Sequence, residues 1–312
     1  MTPEIMEIST AIGTFRWIEN WITIPESPLG RERGRTHGVA VLRSGDIVIF
    51  HQADPGVLIY SPQGELQSAW GHFPGAHGLT LVEEDGEECL WLTDEVTGRV
   101  VKTLIDGTVL ADLSPPEHSA YGSKSYIPTW AAVAEPRFGG NGDVWVADGY
   151  GAALVHRYDR KGNFLGTLDG TGGAGRFDCP HGLYFDPRGG AGRFVIADRG
   201  NHRFQAFSPD GRFLETFGSD SLHSPDTGVV WGDRLLVPEL VAGLTVLDAH
   251  GQLVGQIGFQ VNAHQSEGWP DERSNVKPGL FNSPHSAAVD PQGNIYVVEW
   301  ITGGRVTKLE PK

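Results

Sequence analysis

The chain has 312 residues, with 24 basic against 39 acidic side chains for a net charge of -15, and no Lys/Arg cluster interrupts the acidic background, so nucleic acid is not an expected partner. Its 43 Gly and 20 Pro suit many short strands meeting at tight turns, and Cys89 and Cys179 lack the spacing of a disulfide framework or a thiolate metal site. Met1 to Pro25 holds no continuous apolar run and no later segment reaches membrane-spanning length, so no membrane partner is expected and the location is read as cytoplasmic.

A unit recurs six times: a His or polar residue opening a short apolar strand, a Gly turn, a second apolar strand ending in an acid, and further strands. The openings are His37-Gly-Val-Ala-Val, His77-Gly-Leu-Thr-Leu, Thr129-Trp-Ala-Ala-Val, His181-Gly-Leu-Tyr-Phe, Asp226-Thr-Gly-Val-Val and His285-Ser-Ala-Ala-Val. Second strands such as Asp143-Val-Trp-Val-Ala-Asp148, Arg193-Phe-Val-Ile-Ala-Asp198 and Asn294-Ile-Tyr-Val-Val-Glu299 are rich in β-branched and aromatic residues, as suits strands covered on both faces. Third and fourth strands follow within Phe204 to Phe217 and Leu244 to Ile257. The predicted fold is all-β, a single six-bladed propeller of four-stranded blades over residues 1–312. The last blade runs out at Leu309 after three strands, and a strand within residues 10–25 is expected to supply the missing outer one.

First strands of a propeller line its channel, so the six openings are expected to form a ring at one mouth. His77, His181 and His285 come from alternate blades, and both separations are 104 residues. Three converging imidazoles with no fourth protein ligand suit a catalytic zinc, or another divalent transition metal, which keeps a position open. The alternative is that His-Gly is only a turn preference of the repeat. His37, whose counterparts are Thr129 and Asp226, could face substrate, support a ligand or be structural. The acids ending the second strands, Asp94, Asp148, Asp198, Glu239 and Glu299, recur too regularly for a special site and are read as repeat-wide structural hydrogen-bond acceptors.

The repeat resembles the NHL type, most clearly in Pro180-His-Gly-Leu and Ala197-Asp-Arg-Gly-Asn-His-Arg-Phe-Gln-Ala-Phe. More closely, the chain resembles the peptidyl-α-hydroxyglycine α-amidating lyases, zinc propellers that cleave a carbinolamide to an amide and glyoxylate. The matching pieces are Gly38-Val-Ala-Val with Ile47-Val-Ile-Phe-His51, His77-Gly-Leu, Pro128-Thr129 with Ala147-Asp-Gly-Tyr150, Pro180-His181, Ala197-Asp-Arg199 and Pro284-His285. The resemblance implies zinc ligands at His77, His181 and His285, a catalytic tyrosine at Tyr150 and an active-site arginine at Arg199. Beside a cation-acidified substrate hydroxyl, Tyr150 would be the general base and Arg199 would bind a carboxylate or developing negative charge. Packing for Tyr150 and an ion pair for Arg199 are the structural alternatives.

Two positions depart from the lyases. Gln52 stands where they carry an arginine after the histidine matching His51, and Ser286 replaces an aspartate that binds a structural calcium, which speaks against calcium here. Gln52 and His37 therefore join Tyr150 and Arg199 as candidate catalytic side chains on an altered, small-molecule or short peptide-like substrate. A metal-dependent hydrolase such as a lactonase is the second reading. A non-catalytic propeller binding protein through the insertions 114–127 and 261–280 is the third. If both insertions border the histidine mouth, a substrate lid is favoured over partner binding.

Overall fold

The computed structural model describes residues 5–188, 190, 192–241 and 243–312. The chain opens with strands β1 (Ile5–Thr10) and β2 (Gly13–Ile18) and a short helix α1 (Pro28–Glu32). The first blade is β3 (Thr36–Val41), β4 (Ile47–His51), β5 (Val57–Tyr60) and β6 (Leu66–Trp70), and the second is β7 (Ala76–Glu84), β8 (Glu87–Asp94), β9 (Arg99–Leu104) and β10 (Val109–Leu113). The third holds β11 (Trp130–Val133), β12 (Val144–Asp148), β13 (Leu154–Tyr158) and β14 (Phe164–Leu168). The fourth holds β15 (Pro180–Asp186), β16 (Arg193–Asp198), β17 (Arg203–Phe207) and β18 (Phe213–Phe217). In the fifth come β19 (Val229–Trp231), β20 (Arg234–Glu239), β21 (Gly243–Leu247) and β22 (Leu253–Ile257), and in the sixth β23 (Pro284–Val289), β24 (Ile295–Glu299) and β25 (Val306–Pro311).

Each set forms one antiparallel sheet in sequence order, which is the six-bladed β-propeller the repeat predicts. The closing strand lies within residues 10–25, as expected. Closure is made by β2 alone, pairing Phe15 to Ile18 with Lys308 to Pro311 of β25. β1, which the sequence reading missed, adds a fifth strand to that sheet. Its alternation of exposed and half-buried residues is that of a strand with one face wet. Residues 19–25 leave the sheet after Trp17 and Ile18 are buried, because the next charge, Glu19, turns to Arg305.

The chain forms two compact units, the described residues of Met1–Pro74 with Ser221–Lys312, and Gly75–Asp220, each holding three blades. In the second unit, Val82, Trp91, Val133, Val146 and Tyr158 pack the second blade on the third, and Trp145, Val155, Phe177, Phe194 and Phe207 pack the third on the fourth. In the first unit, Ile47, Leu58, Tyr60, Tyr296 and Val298 join the first and sixth blades, with Trp21 and Ile22 added from the N-terminal segment. Phe15, Trp17, Leu244, Phe281 and Leu309 join the fifth and sixth. Burying large apolar side chains on both faces of the middle strands is the main stabilising contribution.

Candidate active site

Every histidine of the repeat lies on a one-residue β-bulge. The registers of the first and second strands slip between Thr36 and Gly38, Ala76 and Leu79, Pro180 and Leu183, and Pro284 and Ser286. A bulge re-aims the side chain it carries and is favoured beside active sites. Gly78 is needed at such a bulge for space: a Cβ there would lie 2.5 Å from the Thr129 carbonyl oxygen and 2.8 Å from Trp130 Cα. The His-Gly pair is thus a packing requirement as well as a ligand signal.

Within Gly75–Asp220 the structure brings together four expected residues. His77 and His181 are buried, with ring centroids 4.7 Å apart. His77 Nδ1–H donates to the Thr129 carbonyl at 2.7 Å, which places the ring's lone pair on Nε2. That Nε2 lies 3.2 Å from the Tyr150 hydroxyl, and His181 Nε2 lies 3.0 Å from the same oxygen. Arg199 Nη2 donates to the Tyr150 hydroxyl at 3.3 Å and to Cys179 Sγ at 3.4 Å, with its guanidinium 5.4 Å from the Tyr150 ring centre. Tyr150 is 38% exposed, so its hydroxyl spans buried imidazoles while its ring meets solvent. The phenol has one proton; given to His77 Nε2, it leaves the oxygen to accept from Arg199. The Thr129 carbonyl is itself fixed by the Thr93 hydroxyl at 2.9 Å, which accepts from Gly78 N at 2.8 Å.

The remaining expected residues, His37, Gln52 and His285, belong to the other unit and are buried. His285 Nδ1–H donates to the His37 carbonyl at 2.9 Å, again placing the lone pair on Nε2. The His37 and His285 rings stand edge to face with centroids 4.5 Å apart. Burial pushes His37 down to about 3 despite its bond to the Arg35 carbonyl, with the charge of Arg35 adding to the effect, so it is neutral across the physiological range. Gln52 is anchored by its backbone N–H on the Arg35 carbonyl at 3.0 Å.

The second-strand acids hold the segments that lead into the first strands of their own blades. Asp94 accepts from Gly75, Val96 and Thr97 backbone N–H groups, Asp148 from Ile127 and Ala152 N–H and the Tyr121 hydroxyl, and Asp198 from Asp178 N–H and Arg203. Glu239 and Glu299 serve likewise at Ser224 and at Asn282 and Ser283. In the first blade His51 replaces the acid, and its Nε2–H donates to the Pro55 carbonyl at 2.7 Å.

Each insertion is hydrogen-bonded to the strand-start end of its own unit. Segment 114–127 is tied to Asp148, two residues before Tyr150, through Tyr121 and Ile127. Segment 261–280 is tied beside His285: Trp269 Nε1–H donates to the Asn282 carbonyl at 3.0 Å, and Asn282 Nδ2–H to the Pro270 carbonyl at 2.9 Å.

No family model matches the chain. A peptidyl-alpha-hydroxyglycine alpha-amidating lyase of Drosophila melanogaster is 28% identical over 314 residues, covering 85% of this chain and 55% of its own length. The chain is a six-bladed propeller similar to the amidating lyases. The human NHL repeat-containing protein 3 is 29% identical over 241 residues, with 72% of this chain and 67% of the relative covered. The chain therefore spans roughly half to two thirds of these relatives' length. Among solved structures, a gluconolactonase from Xanthomonas campestris superposes with a TM-score of 0.67 at 16% identity, over 100% of this chain and 95% of that one, a likeness of fold.

The sequence reading missed Cys179, whose only signal was its place two residues before His181, and Arg35, two residues before His37. Both reach the site through backbone geometry, a left-handed φ of 53° at Cys179 and a strand-edge carbonyl at Arg35, which composition does not reveal.

Proposed function

We propose that the chain is a metal-dependent lyase cleaving an α-hydroxylated amide, or a related small hydroxylated molecule, with His77, His181 and His285 as ligands to zinc. The observation that carries this reading is the Tyr150 hydroxyl held between His77 and His181 with Arg199 donating to it. The donor chemistry fits the metal: His77 and His285 each anchor Nδ1 on a backbone carbonyl, the arrangement by which metal-binding histidines present Nε2. His285 enters the set by its repeat register and by the similarity to the amidating lyases.

A divalent cation held there would supply Lewis acidity that lowers the pKa of a substrate hydroxyl. Tyr150 takes that proton as general base, and the Arg199 guanidinium stabilises the negative charge left on the phenol oxygen or growing on the substrate. The C–N bond to the hydroxyl-bearing carbon then breaks, the carbon becoming an aldehyde and the nitrogen taking the proton back from Tyr150 to give the amide. Neutral His37, packed on His285, keeps that ring oriented and adds no charge. The two insertions, each hydrogen-bonded beside the strand-start end of its own unit, support a lid that excludes water, and so favour a small substrate over a docked protein.

N-benzoyl-α-hydroxyglycine is the simplest test substrate. Zinc-supplemented protein is expected to release benzamide and glyoxylate, and Tyr150→Phe to lose about 10²–10⁴-fold in kcat without unfolding. Absence of benzamide, or an undiminished rate in Tyr150→Phe, contradicts the proposal. The likeness to a gluconolactonase supports the hydrolase as a second reading; solvent ¹⁸O entering the product of an added lactone would select it.

A further inference from the structure

In the third blade a side chain from outside the blade fills the place beside the second-strand acid. In the fourth and fifth blades the third strand itself supplies that partner: Gln205 Nε2–H donates to Asp198 at 3.0 Å, and the Thr245 hydroxyl donates to Glu239. Each stands two residues after the one paired with the acid, and at that register the third blade carries His156. His156 reaches Asp148 through Tyr121 of the insertion 114–127. The Tyr121 hydroxyl donates to Asp148 Oδ2 at 2.8 Å, its oxygen accepts from His156 Nε2–H at 2.6 Å, and His156 Nδ1 accepts from the Thr167 hydroxyl at 2.9 Å. Burial, with the charge of His118 adding to it, lowers His156 to about 3, so the ring is neutral and the chain of donors runs one way. His118, Tyr121 and Tyr126, all from the insertion, set their ring centres 5.9 to 6.2 Å from that of His156.

The same carboxylate holds the turn that carries Tyr150. Asp148 Oδ2 also accepts from Ala152 N–H at 2.7 Å, and Oδ1 from Ile127 N–H at 2.7 Å, so turn and insertion share one anchor. They also meet directly: a Cβ at Gly151 would lie 2.3 Å from the Ser125 carbonyl oxygen. All of these residues belong to Gly75–Asp220. Without the Tyr121 hydroxyl, buried His156 Nε2–H loses its acceptor and Asp148 loses a donor, a cost that falls on the anchor of both segments.

We propose that Tyr121 and His156 are positioning residues for Tyr150. They key the insertion into a hydrogen-bond place that the fourth and fifth blades fill from within, and the keyed insertion holds the Tyr150 turn from its outer side. This rests on the lyase reading for what Tyr150 does, though the key itself does not depend on the reaction.

Two variants separate positioning from folding. Tyr121→Phe breaks the key. The double variant Tyr121→Phe/His156→Gln gives Asp148 the direct amide partner that Gln205 gives Asp198, and leaves the insertion unkeyed. Hydrogen exchange by mass spectrometry is read in the peptides that hold Ile127 and Ala152, beside the melting temperature and the turnover of N-benzoyl-α-hydroxyglycine by zinc-supplemented protein. Tyr121→Phe is expected to exchange faster in both peptides, to melt lower, and to lose about tenfold to a hundredfold in kcat, as displacement of a reacting group does, with KM little changed. The double variant should regain the melting temperature and keep the low kcat. Unchanged exchange in Tyr121→Phe, an undiminished kcat in it, or a kcat restored in the double variant while the insertion still exchanges fast would overturn the proposal. Faster exchange in both peptides of a variant whose wild type turns nothing over would retain the key and remove the lyase reading.

Discussion

The buried histidines divide by what their ring nitrogens meet. His51, at the acid position of its blade, gives Nε2–H to the Pro55 carbonyl, while its Nδ1 is buried with no partner among the described residues. Burial therefore lowers it to about 4. Since the folded value lies below the unfolded one of 6.5, the stabilisation is whole above about pH 6.5 and is lost as pH falls toward 4, by about 3 kcal/mol for a group so buried. Urea denaturation across that window should show stability falling less steeply in His51→Gln than in the wild type; equal slopes would exclude His51 as a source of acid sensitivity. The exceptional residue at this position was readable in the sequence, since His51 stands where five other strands carry an acid. Arg35 and Cys179 were not, because what recruits them is a carbonyl and a left-handed turn.

At the level of the element, the bulge is the device that turns a repeat into a site. The sequence showed His-Gly recurring but offered two accounts of it, ligand or turn preference. The structure supplies a reason for the Gly: the neighbouring first strand approaches so closely that a Cβ at residue 78 would strike the Thr129 carbonyl. That same carbonyl receives His77 Nδ1–H, so the approach that demands Gly also fixes the imidazole. Gly78→Ala is therefore expected to cost about 1–3 kcal/mol through forced displacement of the strand and to loosen His77, seen as a lower melting temperature and weaker zinc binding together. A variant that melts lower with unchanged zinc affinity would separate packing from ligand orientation. Strand existence and blade order were legible because β-branched runs bounded by Gly turns leave few alternatives; the bulges were not, since one added residue leaves the apolar alternation of a short strand almost unchanged.

For the whole molecule, the six-fold repeat predicted the propeller, and the open third strand at Leu309 predicted that the N-terminus would complete the last blade. β2 does so, with β1 laid outside it. The extra strand escaped the reading because Ile5–Thr10 is short and its alternate residues Ile5, Glu7 and Ser9 are exposed, the pattern of a wet edge. Among the candidate site residues, His77, His181, Tyr150 and Arg199 lie together in Gly75–Asp220, while His37, Gln52 and His285 belong to the other unit. The proposal that His285 acts with His77 and His181 on one metal ion is tested most directly by zinc stoichiometry. Wild-type protein dialysed against zinc should carry one ion per chain by elemental analysis, as should Tyr150→Phe, while His77→Ala, His181→Ala and His285→Ala should each lose it. Equal zinc in wild type and the three histidine variants, or none in the wild type, would contradict it.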